Sequence, residues 1–422
     1  MKYHIHTLKN GLRIVFAPMP GTETATVVVM TGTGSRYENE RENGLAHFLE
    51  HMFFKGTKKR PTAKAISEEL DSVGSQYNAF TAKERTAYWA KVSTEYVDTS
   101  LDVISDMFLN SRLPSAEINK ERGAVIQEID MYEDMPMRSM DNVFDAVFFD
   151  GNSLSRTILG PKENIRTFKR SDFIAYVQRN YTTENTVICI AGSFNEKKMY
   201  EKVAKLFGKL PRRTAPSYER FALAQTEPRT AVKVKKTDQT HFMVGVPAYP
   251  YEHPDEHALN VLTNVLSGGM SSRLFLEVRE KRGLAYSVHA WVDKYPDTAY
   301  LAVQAGIEHA KLEKTISTIL AEFKKLKKVK VSKEELAKVK SYMKGTLALR
   351  LETSDEVAEY AATSLINVGK IHSVEEIFKK IDAVTADDIQ RVAHDLFKTE
   401  KLNLAVIGPH ESLDYLKPLL KV

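Results

Sequence analysis

A single cysteine, Cys189, in 422 residues leaves nothing from which to build an internal disulfide framework, and it fits a reducing compartment. It lies within the apolar run Thr-Val-Ile-Cys-Ile-Ala-Gly (186–192) and reads as a buried strand residue, not a nucleophile. Charge of one sign is lacking too: 60 Lys and Arg face 55 Asp and Glu, a net of +5, which gives no electrostatic footprint for nucleic acid. The one long basic run, Lys324–Lys340, is interrupted by Glu334 and Glu335 and reads as a solvated helix face with its approach. No stretch reaches the roughly 18 apolar residues of a membrane span, so no membrane partner is expected. The opening Met-Lys-Tyr-His-Ile-His runs into a strand pattern without the apolar core of a signal, so the expected location is cytoplasmic. Thr31–Ser35 follows a strand but lacks the lysine of a phosphate loop.

What is present is ordinary globular composition, 43% hydrophobic and 27% charged, in a chain too long for one core. The chain also repeats itself. Gly74–Thr81 with Thr86-Ala87-Tyr88 recurs loosely as Tyr286–Val292 with Thr298-Ala299-Tyr300, an offset of 212. Asp172–Gly192 matches Asp388–Gly408 at 216, and Ser115-Ala-Glu matches Ser332-Lys-Glu at 217. Each offset is about half the chain, which makes two copies of one αβ unit. Within a copy, a strand such as Ala25–Met30 precedes a helix. Two alternating strands follow near 75–81 and 86–93, then several helices and a closing strand, a pattern of the α+β class. The polar, proline-bearing stretch from Leu210 to Thr230 reads as a linker, predicting domains at 1–209 and 231–422.

The chemistry concentrates at Gly44–Thr57. His47-Phe-Leu-Glu50-His51 on a helix sets two imidazoles at i and i+4 on one face, where both reach one ion. Glu50 stands beside them, able to take a proton from water at the metal. This is the inverted order of the commoner His-Glu-x-x-His motif. A third protein ligand is required, with one position left open. Glu121 and Glu128, two turns apart on the helix pattern that starts at Ser115, are the candidates. On the residues alone a second reading stands, in which these are solvated helix charges and the motif a chance match. Against it, Leu45, Phe48, Leu49, Met52, Phe53 and Phe54 surround the motif, and ionisable groups on a buried helix are costly unless paired or metallated.

The segment resembles the pitrilysin-type zinc peptidases, on the branch that includes the mitochondrial processing peptidase and its bacterial relatives. The resemblance covers nearly the whole chain and implies a clamshell of two tandem αβ domains. It implies one zinc per chain held by His47, His51 and Glu128, the last separated from His51 by the family's 76 intervening residues. It implies Glu50 as general base and Glu121 as a supporting acidic residue near the metal. Asn78, Ala79, Phe80 and Thr81 resemble the edge strand that pairs with substrate backbone. Arg279 and Tyr286, seven apart in the second copy, resemble the pair that hydrogen-bonds substrate opposite the zinc. From the residues alone, Arg279 reads equally as an exposed helix charge and Tyr286 as a core aromatic. The implied activity is endopeptidase cleavage of extended or unfolded peptides. In two-chain relatives the metal motif and the Arg/Tyr pair belong to different subunits; here one chain carries both, which predicts a homodimer enclosing a chamber. The alternatives are a non-catalytic structural subunit of the same fold and a catalytic subunit that needs a different partner.

His253-Pro-Asp-Glu256-His257 spells the motif a second time. Repeat register excludes it: the 212 offset carries positions 47, 50 and 51 to Leu259, Leu262 and Thr263. It places His253–His257 in the turn leading into that helix. The 217 offset carries Glu121 to Lys338 and Glu128 to Gly345, so the second copy is expected to hold no metal. His4 and His6 alternate along a strand edge and read as surface residues. Met131, Met135, Met137 and Met140 read as packing residues.

Overall fold

The computed structural model of the chain describes residues 2–422. Its first half runs β1 (His4–Thr7), β2 (Arg13–Pro18), β3 (Thr24–Thr31), α1 (Leu45–Phe53), α2 (Ala63–Asp71), β4 (Gln76–Thr81), β5 (Thr86–Ser93), α3 (Val97–Asn110), α4 (Ser115–Asp134), α5 (Pro136–Phe148), α6 (Lys162–Thr167), α7 (Arg170–Asn180), β6 (Thr186–Gly192) and α8 (Glu196–Phe207). The second half runs β7 (Arg229–Val234), β8 (Thr240–Pro247), α9 (Glu256–Ser267), a π-helical turn at Phe275–Glu280, β9 (Ala285–Lys294), β10 (Ala299–Ile307), α10 (Leu312–Lys328), α11 (Lys333–Arg350), α12 (Ser354–Asn367), α13 (Val374–Ala383), α14 (Ala386–Leu396) and β11 (Asn403–Gly408). Among the described residues no helix is long and apolar enough to cross a membrane.

The repeat is structural as well as sequential. One sheet has the order β1-β2-β6-β3-β5-β4, the other β7-β11-β8-β10-β9. Apart from β1, the strands follow the same order. In each sheet one pair is parallel (β2 with β6, β7 with β11) and the remaining pairs are antiparallel. The fold is α+β, with one such sheet and its helices in each of two tandem domains.

The compact units do not follow the two halves. The first comprises 1–130, 156–219 and 349–373; the second comprises 131–155, 220–348 and 374–422. The repeat-equivalent helices α5 and α12 are exchanged, each packing on the sheet built by the other half. The physical reason is that the central strands need cover on both faces. β6 is buried at every position, Thr186–Gly192, and β3 from Ala25 to Thr31, a pattern that a sheet covered on one side cannot show.

In the first unit, α12 supplies that cover with small residues, Ala358, Ala361 and Ala362, all fully buried. Its contacts with the sheet are also polar. The Ser354 hydroxyl hydrogen-bonds those of Thr24 (3.1 Å) and Thr26 (2.8 Å), and Lys91 pairs with Asp355 at 2.8 Å. In the second unit the equivalent helix α5 covers its sheet with aromatics. Phe144 and Phe148 lie on Tyr300 at ring distances of 5.0 and 5.3 Å. Gly245 in β8 permits this approach, since a Cβ there would lie 2.9 Å from the Phe144 ring and 2.6 Å from the Leu301 carbonyl.

The expected linker is irregular from Pro211 onward, and β7 already begins at Arg229. Its first part is tied to the first unit, with Arg212 paired to Glu184 and Tyr218 beneath Arg36. Its second part is tied to the other, with buried Gln225 bonded to the Leu402 carbonyl and to Asn403. Cys189 is fully buried in β6. His4 and His6 are partly exposed and share the Glu196 carboxylate. The methionine expectation needs correction: Met140 is fully buried, but Met131, Met135 and Met137 are 45%, 40% and 57% exposed.

Candidate metal centre

The helix that carries the motif is fixed at its start. α1 follows Gly44, whose φ of +99° belongs to the left-handed region. A Cβ at Gly44 would lie 2.5 Å from the Leu159 carbonyl, so glycine is required twice over. The Glu38 carboxylate, buried in front of the helix, accepts from the Gly44 and Ala46 amides at 2.9 and 2.6 Å and from Asn43 at 3.1 Å. It caps the exposed amides and complements the helix dipole. Burial pushes the Glu38 carboxyl up to about 8, against the pull of those donors. One face of α1 is then packed through Leu45, Phe48, Leu49, Met52 and Phe53, all essentially buried.

The other face turns to α4. His47 Nε2 and His51 Nε2 lie 3.5 and 3.3 Å from Glu128 Oε2. The ligand atoms of these three residues all fall within 4.8 Å of one another, and no second such group exists among the described residues. Contacts of 3.3–3.5 Å are long for hydrogen bonds. They match the roughly 3.3–3.5 Å between neighbouring ligand atoms around a tetrahedral ion with bonds of about 2.0–2.2 Å. The donor set is two imidazole nitrogens and one carboxylate oxygen, so these residues fit a zinc ion.

Around them stands a second layer. Glu121 Oε1 lies 3.0 Å from His51 Nδ1, and Glu121 Oε2 lies 2.6 Å from Lys55 Nζ. A donor bond from Nδ1 to Glu121 fixes the ring and leaves Nε2 as the ligand. Burial works against a charge on His51, but Glu121 and Glu128 outweigh it and push the imidazole up to about 9. His51 and then Lys55 hold Glu121 below the usual carboxylate range, and His47 and His51 hold Glu128 well below it.

Glu50 lies on the same helix, and its Oε2 accepts from the Thr81 hydroxyl at 2.6 Å. Thr81 ends β4, the outermost strand of the first sheet. Asn78, Ala79 and Phe80 precede it, and the Ala79 amide is occupied by Asn78 Oδ1 at 2.9 Å.

In the second unit, Arg279 and Tyr286 are brought together. Arg279 sits in the π-helical turn, with its guanidinium 4.8 Å from the Phe275 ring centre and 4.6 Å from that of Tyr286. Tyr286 is 80% exposed. It is no core aromatic. His253 stacks on Tyr249 at 4.0 Å in the turn, and His257 lies in the first turn of α9. At the positions equivalent to His47, Glu50 and His51, the unit has fully buried Leu259 and Leu262, and Thr263 bonded back to the Leu259 carbonyl.

The sequence did not reveal Lys55, the Glu38 cap, or the side-chain role of Thr81. Lys55 had only a signal of position, because it lies four residues beyond His51, just past the end of α1 at Phe53. Glu38 had none.

The chain is similar to known proteins along nearly its whole length. Residues 13–162 match the family described as insulinase (peptidase family M16), and residues 167–343 match the peptidase M16 inactive domain. A Bacillus subtilis protein named "uncharacterized zinc protease YmxG" is 36% identical over 96% of this chain and 98% of its own. A Rickettsia felis protein named "uncharacterized zinc protease" is 32% identical over 97% and 98%. A solved structure described as a protease from Helicobacter pylori superposes with a TM-score of 0.90 at 27% identity, covering 97% of this chain and 99% of that one. A chain of Complex III2 from Candida albicans, at 18% identity and a TM-score of 0.84, covers 99% and 100% and shares the fold.

Proposed function

The chain belongs to peptidase family M16, and we propose that it is a zinc-dependent endopeptidase acting on extended or unfolded peptides. The observation that carries this reading is the convergence of His47, His51 and Glu128 at ligand spacing with Glu50 beside them. His47, His51 and Glu128 would hold one zinc per chain. Bound there, the metal supplies Lewis acidity toward a peptide carbonyl and acidifies water. Glu50 accepts the proton and returns it to the leaving amine, so no covalent intermediate is needed. Glu121 keeps His51 in the coordinating tautomer. Peptide adds to β4 along Asn78–Thr81 by main-chain bonds, which tolerate varied side chains and require the Asn78 side chain to release the Ala79 amide. Arg279 and Tyr286 bond the peptide carbonyl and steady the developing negative charge.

The test is metal analysis joined to cleavage of an unstructured peptide by the chain alone. About one zinc per chain with metal-dependent turnover is expected. A folded chain with neither supports the alternative of a structural subunit.

We further propose a homodimer in which Arg279 and Tyr286 of one chain serve the zinc of the other, giving two equivalent sites. Mixing inactive Glu50→Gln with inactive Tyr286→Phe should restore activity after subunit exchange. Verified exchange without recovery rules the arrangement out.

A further inference from the structure

We infer that Thr81 is a positioning residue for Glu50, a role that rests on the reading of Glu50 as the base. A glutamate carboxylate turns about a broad, nearly two-fold terminal torsion, so a base on an open helix face has no fixed aim of its own. Here the Thr81 hydroxyl donates to Glu50 Oε2 at 2.6 Å, a short hydrogen bond. With Oε2 held, the plane of the carboxylate is fixed, and Oε1 is the oxygen free of this bond to receive a proton from water.

Thr81 is itself held. It is the last residue of β4 and lies opposite Thr86 of β5, whose own hydroxyl donates to the Thr33 carbonyl at 2.9 Å. The hydroxyl that aims the base therefore comes from a strand fixed by its neighbour, not from a mobile loop. It also comes from the strand on which peptide is proposed to add, so substrate pairing and base orientation meet in one residue. The main chain of Thr81 serves the first and its side chain the second, and the two are separable by substitution.

The experiment compares zinc-loaded Thr81→Val, Thr81→Ala and Thr81→Ser with the parent, each also in a Glu50→Gln background. Peptide kinetics, zinc content and crystal structures are the readouts. Thr81→Val and Thr81→Ala should keep zinc and lower kcat about tenfold with KM within about twofold, because the strand is intact. Thr81→Ser should return kcat to within about threefold of the parent. In the Glu50→Gln background the Thr81→Val change should cost less than about twofold, since no base remains to be aimed. The structures should show the Glu50 carboxylate displaced in the valine and alanine variants and restored in the serine variant.

An unmoved Glu50, an unchanged kcat in Thr81→Val and Thr81→Ala, or an equal loss in both backgrounds overturns the inference. Full activity in Glu50→Gln instead overturns the reading of Glu50 as base. If the parent cleaves no peptide, the structures alone still decide whether Thr81 holds Glu50.

Discussion

The two units place the same three elements around the same spot and fill it with different chemistry. In the first, α1, β4 and α4 surround His47, His51, Glu128 and Glu50. In the second, their counterparts α9, β9 and α11 line an open cleft of about 590 Å³ bordered by Asn260, Thr263, His289, Trp291 and Tyr342. The backbone plan is common to both copies, while the positions equivalent to His47, Glu50 and His51 hold two buried leucines and a threonine bonded to its own helix. The same fold can therefore carry a cleft without those groups, because the cleft belongs to the packing of helices on a sheet edge. Function has to be read from the side chains at the spot, not from the architecture.

The largest effect should come from making the first unit resemble the second. The triple variant H47L/E50L/H51T places in α1 the residues that α9 carries. It should bind no zinc and cleave nothing, while circular dichroism shows the fold retained. Stoichiometric zinc in that variant would remove α1 from the centre. Glu50→Gln should separate the parts of the first site: zinc stays at about one per chain while kcat falls by roughly 10² or more, as metal analysis and steady-state kinetics will show.

The exchanged helices offer a comparison in stability. Phe144→Ala should cost about 3–5 kcal/mol, as a large aromatic lost from a closed core. Ser354→Ala, at the start of the equivalent α12, should cost about 1–3 kcal/mol by leaving the buried Thr26 hydroxyl short of a partner. Denaturant melts of both variants check the order. If Ser354→Ala proves the costlier, the polar contacts and not the apolar ones fasten the exchanged helices. The smallest effect is expected at the second copy of the motif. His253→Ala and His257→Ala should leave zinc content unchanged and kcat within about twofold, because neither lies at a ligand position; loss of zinc in either would break the equivalence of α1 and α9.

Much of this was legible in the sequence because its signals are local or periodic. The i, i+4 spacing of His47 and His51 requires only a helix, and α1 is one. Repeat offsets aligned the strands and helices of the two copies, and they carried the second motif away from a ligand position. Glu128 was readable only through spacing shared with known peptidases, since residue types alone did not separate it from Glu121. Their difference lies in the third dimension: Glu128 reaches both Nε2 atoms, while Glu121 reaches the far side of His51 and Lys55.

What the sequence determined by itself is the two-fold repeat, the helix that sets His47 and His51 at i and i+4 with Glu50 between them, and the absence of those residue types from the equivalent positions Leu259, Leu262 and Thr263 of the second copy. All follow from short-range geometry and from matching one half of the chain to the other. Tertiary structure alone decided that α5 and α12 change places, that Glu38 caps α1 from 6 residues before Gly44, and that Thr81 reaches Glu50. A repeat offset says which segments are equivalent, not which sheet each one covers. That choice is made by whichever exposed apolar face the helix can bury, between residues far apart in the chain.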